Sequence, residues 1–326
     1  MKSFLAVGAC ALVAVATLAP PAPADVTVTR LAGETRYETA VAISNYAYEL
    51  AEFGVVVASG ADFPDALAAG AVADNRQGPL LLVPRDGALP EAVEAELDLL
   101  NPWSVYIAGG VSAVSGAIEA QLGDYALDGV HRLAGADRYA TSAVLAFSSH
   151  RADTTMFLAT GLDFPDALGG SAAAGRLDGA LMLTRPTDLP ESVKDQLTFG
   201  QPTKVVVLGG TQAVEDVVME QVRLALPNAE VVRWAGATRY ETAARVSRET
   251  YPQGAATVFL ASGVNFPDAL AGGPTAARVG APLLLTEPDC VPRPTLDEIE
   301  RLGAERVVVL GGLLAVSEAA ANLTPC

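Results

Sequence analysis

One set of phrases, written three times, constrains this chain more than any other feature. RLAGETRYETA begins at Arg30, RLAGADRYATS at Arg132 and RWAGATRYETA at Arg233, at spacings of 102 and 101 residues. FPDAL begins at Phe63, Phe164 and Phe266. VYIAGGVSAV from Val105 returns as VVVLGGTQAV from Val205 and VVVLGGLLAV from Val307. Between them stand PLLLV from Pro79, ALMLT from Ala180 and PLLLT from Pro282. Order and spacing match throughout, so the fold must be one that can be built three times. A period this long is that of small domains rather than solenoid turns.

Within one unit the apolar pattern alternates between two periods. Val26–Leu31 alternates like a strand, and VVVAS, LLLV and VYIA are short β-rich runs of the kind buried on both faces. Helical spacing follows each of them, over Arg36–Leu50, Pro64–Ala73, Glu91–Leu100 and Val114–Leu122. The expectation is an α/β chain of three tandem compact domains, each a mainly parallel sheet flanked by helices. The boundaries are 1–24 for a secretion leader, then 25–126, 127–228 and 229–326 for the three repeats.

The leader follows from Lys2, the apolar run Phe4–Leu18 and the small-x-small end at Ala22-Pro23-Ala24. A lipid-attachment reading of Cys10 places the box too early to leave an apolar core before it. No other run is long and uncharged enough to span a bilayer. Without the leader, 20 basic side chains face 38 acidic ones, one unit more negative than the −17 of the full sequence. That charge opposes general adhesion to nucleic acid or anionic lipid. Cys290 and Cys326 are expected to pair in an oxidising compartment, two unpaired thiols being the alternative.

The repeated phrases read first as local structure. Thr35 with Glu38 and Thr238 with Glu241 have the spacing of a capping box, while Asp137 keeps the cap and loses the box. In FPDAL the preceding Asp62, Asp163 and Asn265 read as N-caps, since Asp and Asn are interchangeable there but not as bases. Asp65, Asp166 and Asp268 then fall in the first turn, at the positive end of the helix dipole. Gly60, Gly161 and Gly263 are expected to permit a tight turn or positive φ.

Two readings stay open at the arginines and hydroxyls. Arg30, Arg132 and Arg233 end the first strand of each unit, and Arg36, Arg138 and Arg239 open the first helix. They are either turn-bonding residues or anion contacts on an acidic protein, arginine being suited to carboxylate and phosphate. Ser59, Thr160 and Ser262 stand where parallel strands end, the usual place for ligands in open α/β sheets.

No catalytic set and no metal or cofactor site emerges. His131 and His150 occupy unrelated places, no G-x-S-x-G elbow occurs, and the Asn265 replacement breaks any shared carboxylate pair.

With RLAG-x-x-RYETA, SG-x-x-FPDALA, PLLLT and VVVLGG-x-x-AVS in fixed order, the chain resembles the cell wall binding repeat 2 family of Gram-positive surface proteins. The resemblance covers essentially Val26 to the end. It implies three α/β modules packed with pseudo-threefold symmetry, holding noncovalently to an anionic secondary wall polymer. The family's leucine-rich motif falls on Leu81 and Leu82, and again on Leu284 and Leu285; on their own these residues also read as buried strands. The middle copy, Ala180–Leu183, departs from it by lacking the proline. Relatives usually carry a further enzymatic or adhesive domain, and no residues are expected to remain for one here.

The leading expectation is therefore a secreted, noncatalytic protein at the cell wall, whose partner is an anionic wall polysaccharide or teichoic-type polymer. The alternative is an accessory of a peptidoglycan hydrolase such as an N-acetylmuramoyl-L-alanine amidase. An enzyme handling a sugar or nucleotide on a doubly wound sheet comes third.

Overall fold

The computed structural model describes residues 26–50, 54–149, 155–265 and 267–326. The leader with Cys10, and also His150, lie outside the described residues. The first repeat runs β1 (Thr27–Leu31), α1 (Arg36–Ala47), β2 (Gly54–Ser59), α2 (Pro64–Asn75), β3 (Leu80–Val83), α3 (Glu91–Leu100), β4 (Ser104–Ala108) and α4 (Gly116–Leu122). The second runs β5 (Gly129–Leu133), α5 (Arg138–Ser148), β6 (Thr155–Thr160), α6 (Pro165–Arg176), β7 (Ala180–Thr184), α7 (Glu191–Gly200), β8 (Lys204–Leu208) and α8 (Asp216–Ala225). The third runs β9 (Glu230–Trp234), α9 (Arg239–Thr250), β10 (Thr257–Ser262), α10 (Pro267–Leu270), α11 (Gly272–Arg278), β11 (Leu283–Thr286), α12 (Arg293–Leu302), β12 (Arg306–Leu310) and α13 (Glu318–Ala321).

Three parallel four-stranded sheets result, with strand orders β3-β2-β4-β5, β7-β6-β8-β9 and β11-β10-β12-β1. The fourth strand of each sheet comes from the next sequence repeat. Thus β5 pairs with β4 in register Val105–Val130, and β9 with β8 in register Val205–Val231. The ring closes where β1 pairs with β12, Val28 opposite Val307. The sequence repeats and the sheets are offset by one strand, so no repeat completes its sheet alone.

One apolar core runs through all three units, including Leu67, Phe157, Leu168, Phe259, Leu270 and Leu310. Three smaller cores sit under the outer helices. At the centre α2, α6 and α11 pack at small residues: a Cβ on Gly273 would lie 3.0 Å from the Ser171 Cβ. The third central helix breaks into α10 and α11 around Ala271, because Pro274 has no N–H for the Leu270 carbonyl and its ring crowds that turn.

At the terminus Cys290 and Cys326 are joined as a disulfide, Cα atoms 4.9 Å apart. The Val291 N–H also donates to the Thr324 carbonyl at 2.8 Å, docking the last residues on the third sheet's outer layer. No helix among the described residues is long and apolar enough to cross a membrane.

The leucine runs need a correction. Leu81, Leu82, Leu284 and Leu285 are all fully buried, as central members of β3 and β11 with apolar residues on both faces. Direct contact with a polymer is closed to them; their place in the fold is the core.

Candidate functional site

The strand ends and the RYETA phrases meet at the seams between neighbouring sheets. In each repeat the glycine of RLAG, or RWAG in the third, lies flat against the following helix. A Cβ on Gly33 would run into the Glu38 Cβ and lie 2.7 Å from that residue's backbone carbon. Gly33, Gly135 and Gly236 instead donate their N–H to Thr39, Thr141 and Thr242 Oγ1, at 3.2, 3.1 and 3.1 Å. The threonine three residues after each RY arginine therefore fixes the loop. This threonine recurs in all three phrases, so the sequence carried its signal unread.

The capping boxes form with one variation. Thr35 Oγ1 accepts from Glu38 N–H while Glu38 Oε2 accepts from Thr35 N–H. In the third repeat Glu241 reaches one residue further back, to Ala237 N–H at 2.7 Å. Asp137 caps alone.

The FPDAL turn differs from expectation. Helix α2 starts one residue later than an Asp62 cap would set it, with Phe63 as cap residue and no side-chain cap bond. Asp62 and Asp163 accept the N–H of Phe63 and Phe164, at 2.9 Å, the next residue rather than one two or three further on. Asp62 therefore stays exposed at the seam rather than closing the helix. The turn glycines Gly60, Gly161 and Gly263 serve close approach, not positive φ. A Cβ on any of them would lie within 3 Å of the Tyr37, Tyr139 or Tyr240 ring.

The two arginine sets have different surroundings. Arg132 donates to the Gly109 carbonyl at 2.8 Å and pairs with Glu119 at 2.8 Å. Arg233 does the same with Gly209 and Asp216, at 2.7 and 2.9 Å. Arg30 bonds the Gly311 and Val316 carbonyls, both at 2.8 Å, with Glu318 at 3.5 Å. These three latch each borrowed strand to the GG turn of its host sheet, where Gly109, Gly209 and Gly311 adopt φ of 109°, 88° and 99°.

Arg36, Arg138 and Arg239 straddle the seams instead. Each donates through Nη1 to the carbonyl of Gly60, Gly161 or Gly263 in its own repeat. Each also faces the FPDAL turn of the preceding unit around the ring. Arg138 lies 3.8 Å from Asp62 and 5.9 Å above the Phe63 ring. Arg239 stands beside Asp166, and Arg36 beside Asp268.

Behind these guanidinium groups are half-buried carboxyls at the end of the parallel strands. Burial pushes Asp65 up to about 6, with the Asp62 charge adding and Arg138 opposing. Burial likewise raises Asp166 and Asp268, opposed by hydrogen bonds from Thr242 and Thr39. A Cβ on Gly109 would run into the Asp65 carboxylate, so the positive-φ glycine keeps the carboxyl's place open.

The result is a repeated cleft. Between the first and second units it measures about 410 Å³, lined by Ser59, Asp62, Asp65, Arg85, Ser112 and Arg138 among others. Between the second and third it measures about 560 Å³, with Thr160, Asp163, Asp166, Thr211 and Arg239. Ser59, Thr160 and Ser262 are almost buried, and their hydroxyls accept the N–H two residues on at 3.2, 3.2 and 3.3 Å. The clefts carry both signs of charge rather than purely cationic spots. Their linings differ: Ala61 and Ser112 stand at the first, Leu162, Thr211 and Gln212 at the second, while the corresponding turns of the third unit carry exposed Val264, Leu313 and Leu314.

Among the described residues no group of three or more His, Cys, Asp or Glu side chains is placed to hold a metal ion. His131 stacks on Tyr106, centroids 5.2 Å apart, on β4 and β5.

A closed ring of three parallel sheets, with an arginine beside a strand-end carboxyl at every seam and mixed-charge clefts between the first and second and the second and third units, defines a tandem-repeat α/β binding scaffold. The chain belongs to the cell wall binding domain 2 family, whose profile matches residues 30–119, 132–219 and 233–321. It is similar to the N-acetylmuramoyl-L-alanine amidase LytC of Bacillus subtilis, 28% identical over 99% of this chain and 63% of that protein. It is also similar to the Amidase enhancer of the same organism, 28% identical over 59% of this chain and 25% of that one. Among solved structures, Cwp6 from Clostridium difficile superposes with a TM-score of 0.83 at 28% identity, covering 92% of this chain and 48% of Cwp6. Cwp8 from the same species gives 0.80 at 26% identity, covering 89% of this chain and 50% of Cwp8. The chain thus spans about half to two-thirds of the length of Cwp6, Cwp8 and LytC.

Proposed function

We propose that this chain acts outside the cell as a noncatalytic anchor, holding to an anionic secondary wall polymer through its three arginine seams. The observation that carries this reading is the threefold reuse of one pairing, an accessible arginine beside a strand-end carboxyl, with clefts of about 410 and 560 Å³ open at the first two seams. A polymer carrying both anionic groups and sugar hydroxyls suits such a lining. The guanidinium takes the anion, and Asp62, Asp163 and the strand-end carboxyls accept from hydroxyls. Salt screens the chain's overall negative charge beyond roughly 8–10 Å, so the local arginine dominates at contact. Three weak sites on one rigid ring gain about 10²–10⁴ in avidity over one.

The test is sedimentation with purified walls before and after their phosphate-rich polymers are stripped. Retention on intact walls that disappears on stripping supports the reading; equal retention on both contradicts it.

The names of two relatives, an amidase and an amidase enhancer, favour a second reading in which this scaffold serves a wall hydrolase. Release of labelled wall fragments by such a hydrolase should then rise when this protein is added, and no change would count against it.

A further inference from the structure

The middle repeat departs from its neighbours on the outer side, in the groove between α5 and α7. In the first repeat the buried Glu96 accepts from the Ser44 hydroxyl at 2.5 Å. In the third, Glu298 accepts from Ser247 at 2.7 Å and from Arg301 at 2.7 and 2.8 Å. The middle repeat places Gln196 at this position and Ala146 where the serines stand. Gln196 is only 7% exposed, and its Nε2 is buried with no hydrogen-bond partner. Native folds rarely leave a buried donor unmatched, and such a group calls for an acceptor from elsewhere.

The same two helices add an aromatic pair found in neither other repeat. Phe147 and Phe199 are 57% and 65% exposed, with ring centroids 5.3 Å apart and planes 49° to each other. Their counterparts are Asn45 and Leu99 in the first repeat, Arg248 and Arg301 in the third. With Val144, Ser192 and Asp195 they line a groove of about 400 Å³, within the range of small-ligand clefts.

We propose that this groove binds an N-acetylated amino sugar. An acetamido group presents a methyl, a carbonyl and an N–H, and the groove holds a counterpart for each. The methyl and one face of the sugar ring pack on Phe147 and Phe199, the carbonyl accepts from Gln196 Nε2, and the N–H donates to Asp195. An uncharged sugar also meets no repulsion from a chain of net charge −17. The site is single, lies apart from the seam clefts, and does not depend on an anionic ligand.

The full chain titrated with chitotetraose should show saturable binding, at least tenfold tighter than with cellotetraose, which carries a hydroxyl in place of each acetamido group. F147A/F199A should weaken chitotetraose binding at least tenfold. Q196L should do the same, and this near-isosteric change removes an unmatched donor, so it keeps the test open if the double variant fails to fold. Absence of binding, equal affinity for both sugars, or an unaffected folded Q196L would overturn the proposal. Competition by chitotetraose on walls stripped of secondary polymer would assign the sugar to the glycan strand; competition on intact walls alone would assign it to the polymer. No competition on either would count against the site.

Discussion

Arg132 and Arg138 stand six residues apart, recur with the same period, and do different things. Arg132 is 16% exposed and consumed by the Gly109 carbonyl and Glu119. Arg138 is 35% exposed, gives one bond to the Gly161 carbonyl, and turns the rest of its fork toward an open cleft. Arg30 and Arg233 are likewise spent on turn carbonyls and a carboxylate, whereas Arg36 and Arg239 each bond a turn carbonyl and face a strand-end carboxyl across the seam. Recurrence of a residue type within a chain therefore says that a position matters, not why. What separates the sets is how many donors the fold leaves unspent.

Substitutions can sharpen this contrast. Arg132→Ala should cost most, about 2–4 kcal/mol in chemical denaturation, because it strands a carbonyl and a partly buried carboxylate and unlatches β5 from β4. Arg138→Ala should cost no more than about 1–1.5 kcal/mol, the worth of one hydrogen bond. Equal losses would erase the distinction between latch and cleft arginines.

Asp65 gives an effect of comparable size that depends on pH. Its carboxyl sits at about 6 when folded against an ordinary 3.8, so the native state holds the proton more tightly. Its contribution to stability is full below about 4 and is lost as pH rises through 6. Asp65→Asn should leave stability at pH 4 little changed and raise it at pH 7 by about 1–2 kcal/mol, less than the full shift because the carboxyl is only half-buried. A gain independent of pH would contradict that origin. Arg138→Lys should change stability least, within about 0.5–1 kcal/mol. Its effect should appear instead in wall binding, since an ammonium cannot bridge the Gly161 carbonyl and a ligand anion as a fork can.

Much of this architecture was legible in the sequence. The repeats, the alternation of strand and helix, and the threonine and aspartate caps at Thr35, Asp137 and Thr238 are set by local spacing. The strand offset was not legible, because Val28 pairs as well by pattern with its own repeat as with Val307, and only packing chooses. The FPDAL cap falls one residue from its expected place: Asp62 has a capping side chain, but the helix opens at Pro64 behind Phe63, where Tyr37 packs closely on Gly60 of the same turn. The arginine seam was half-visible: type and period were plain, while the partners lie in a neighbouring repeat. The α5–α7 groove was not singled out, since Gln196 and Phe147 gain meaning only beside Glu96, Glu298 and the residues facing them.

The central claim is that the seam arginines hold the wall. The most direct measurement is a binding isotherm of the triple variant R36A/R138A/R239A on purified walls, with its thermal melt confirming the fold. The account predicts a loss of at least 10²-fold, since all three linked sites are weakened together. Unchanged retention by a folded triple variant would contradict it.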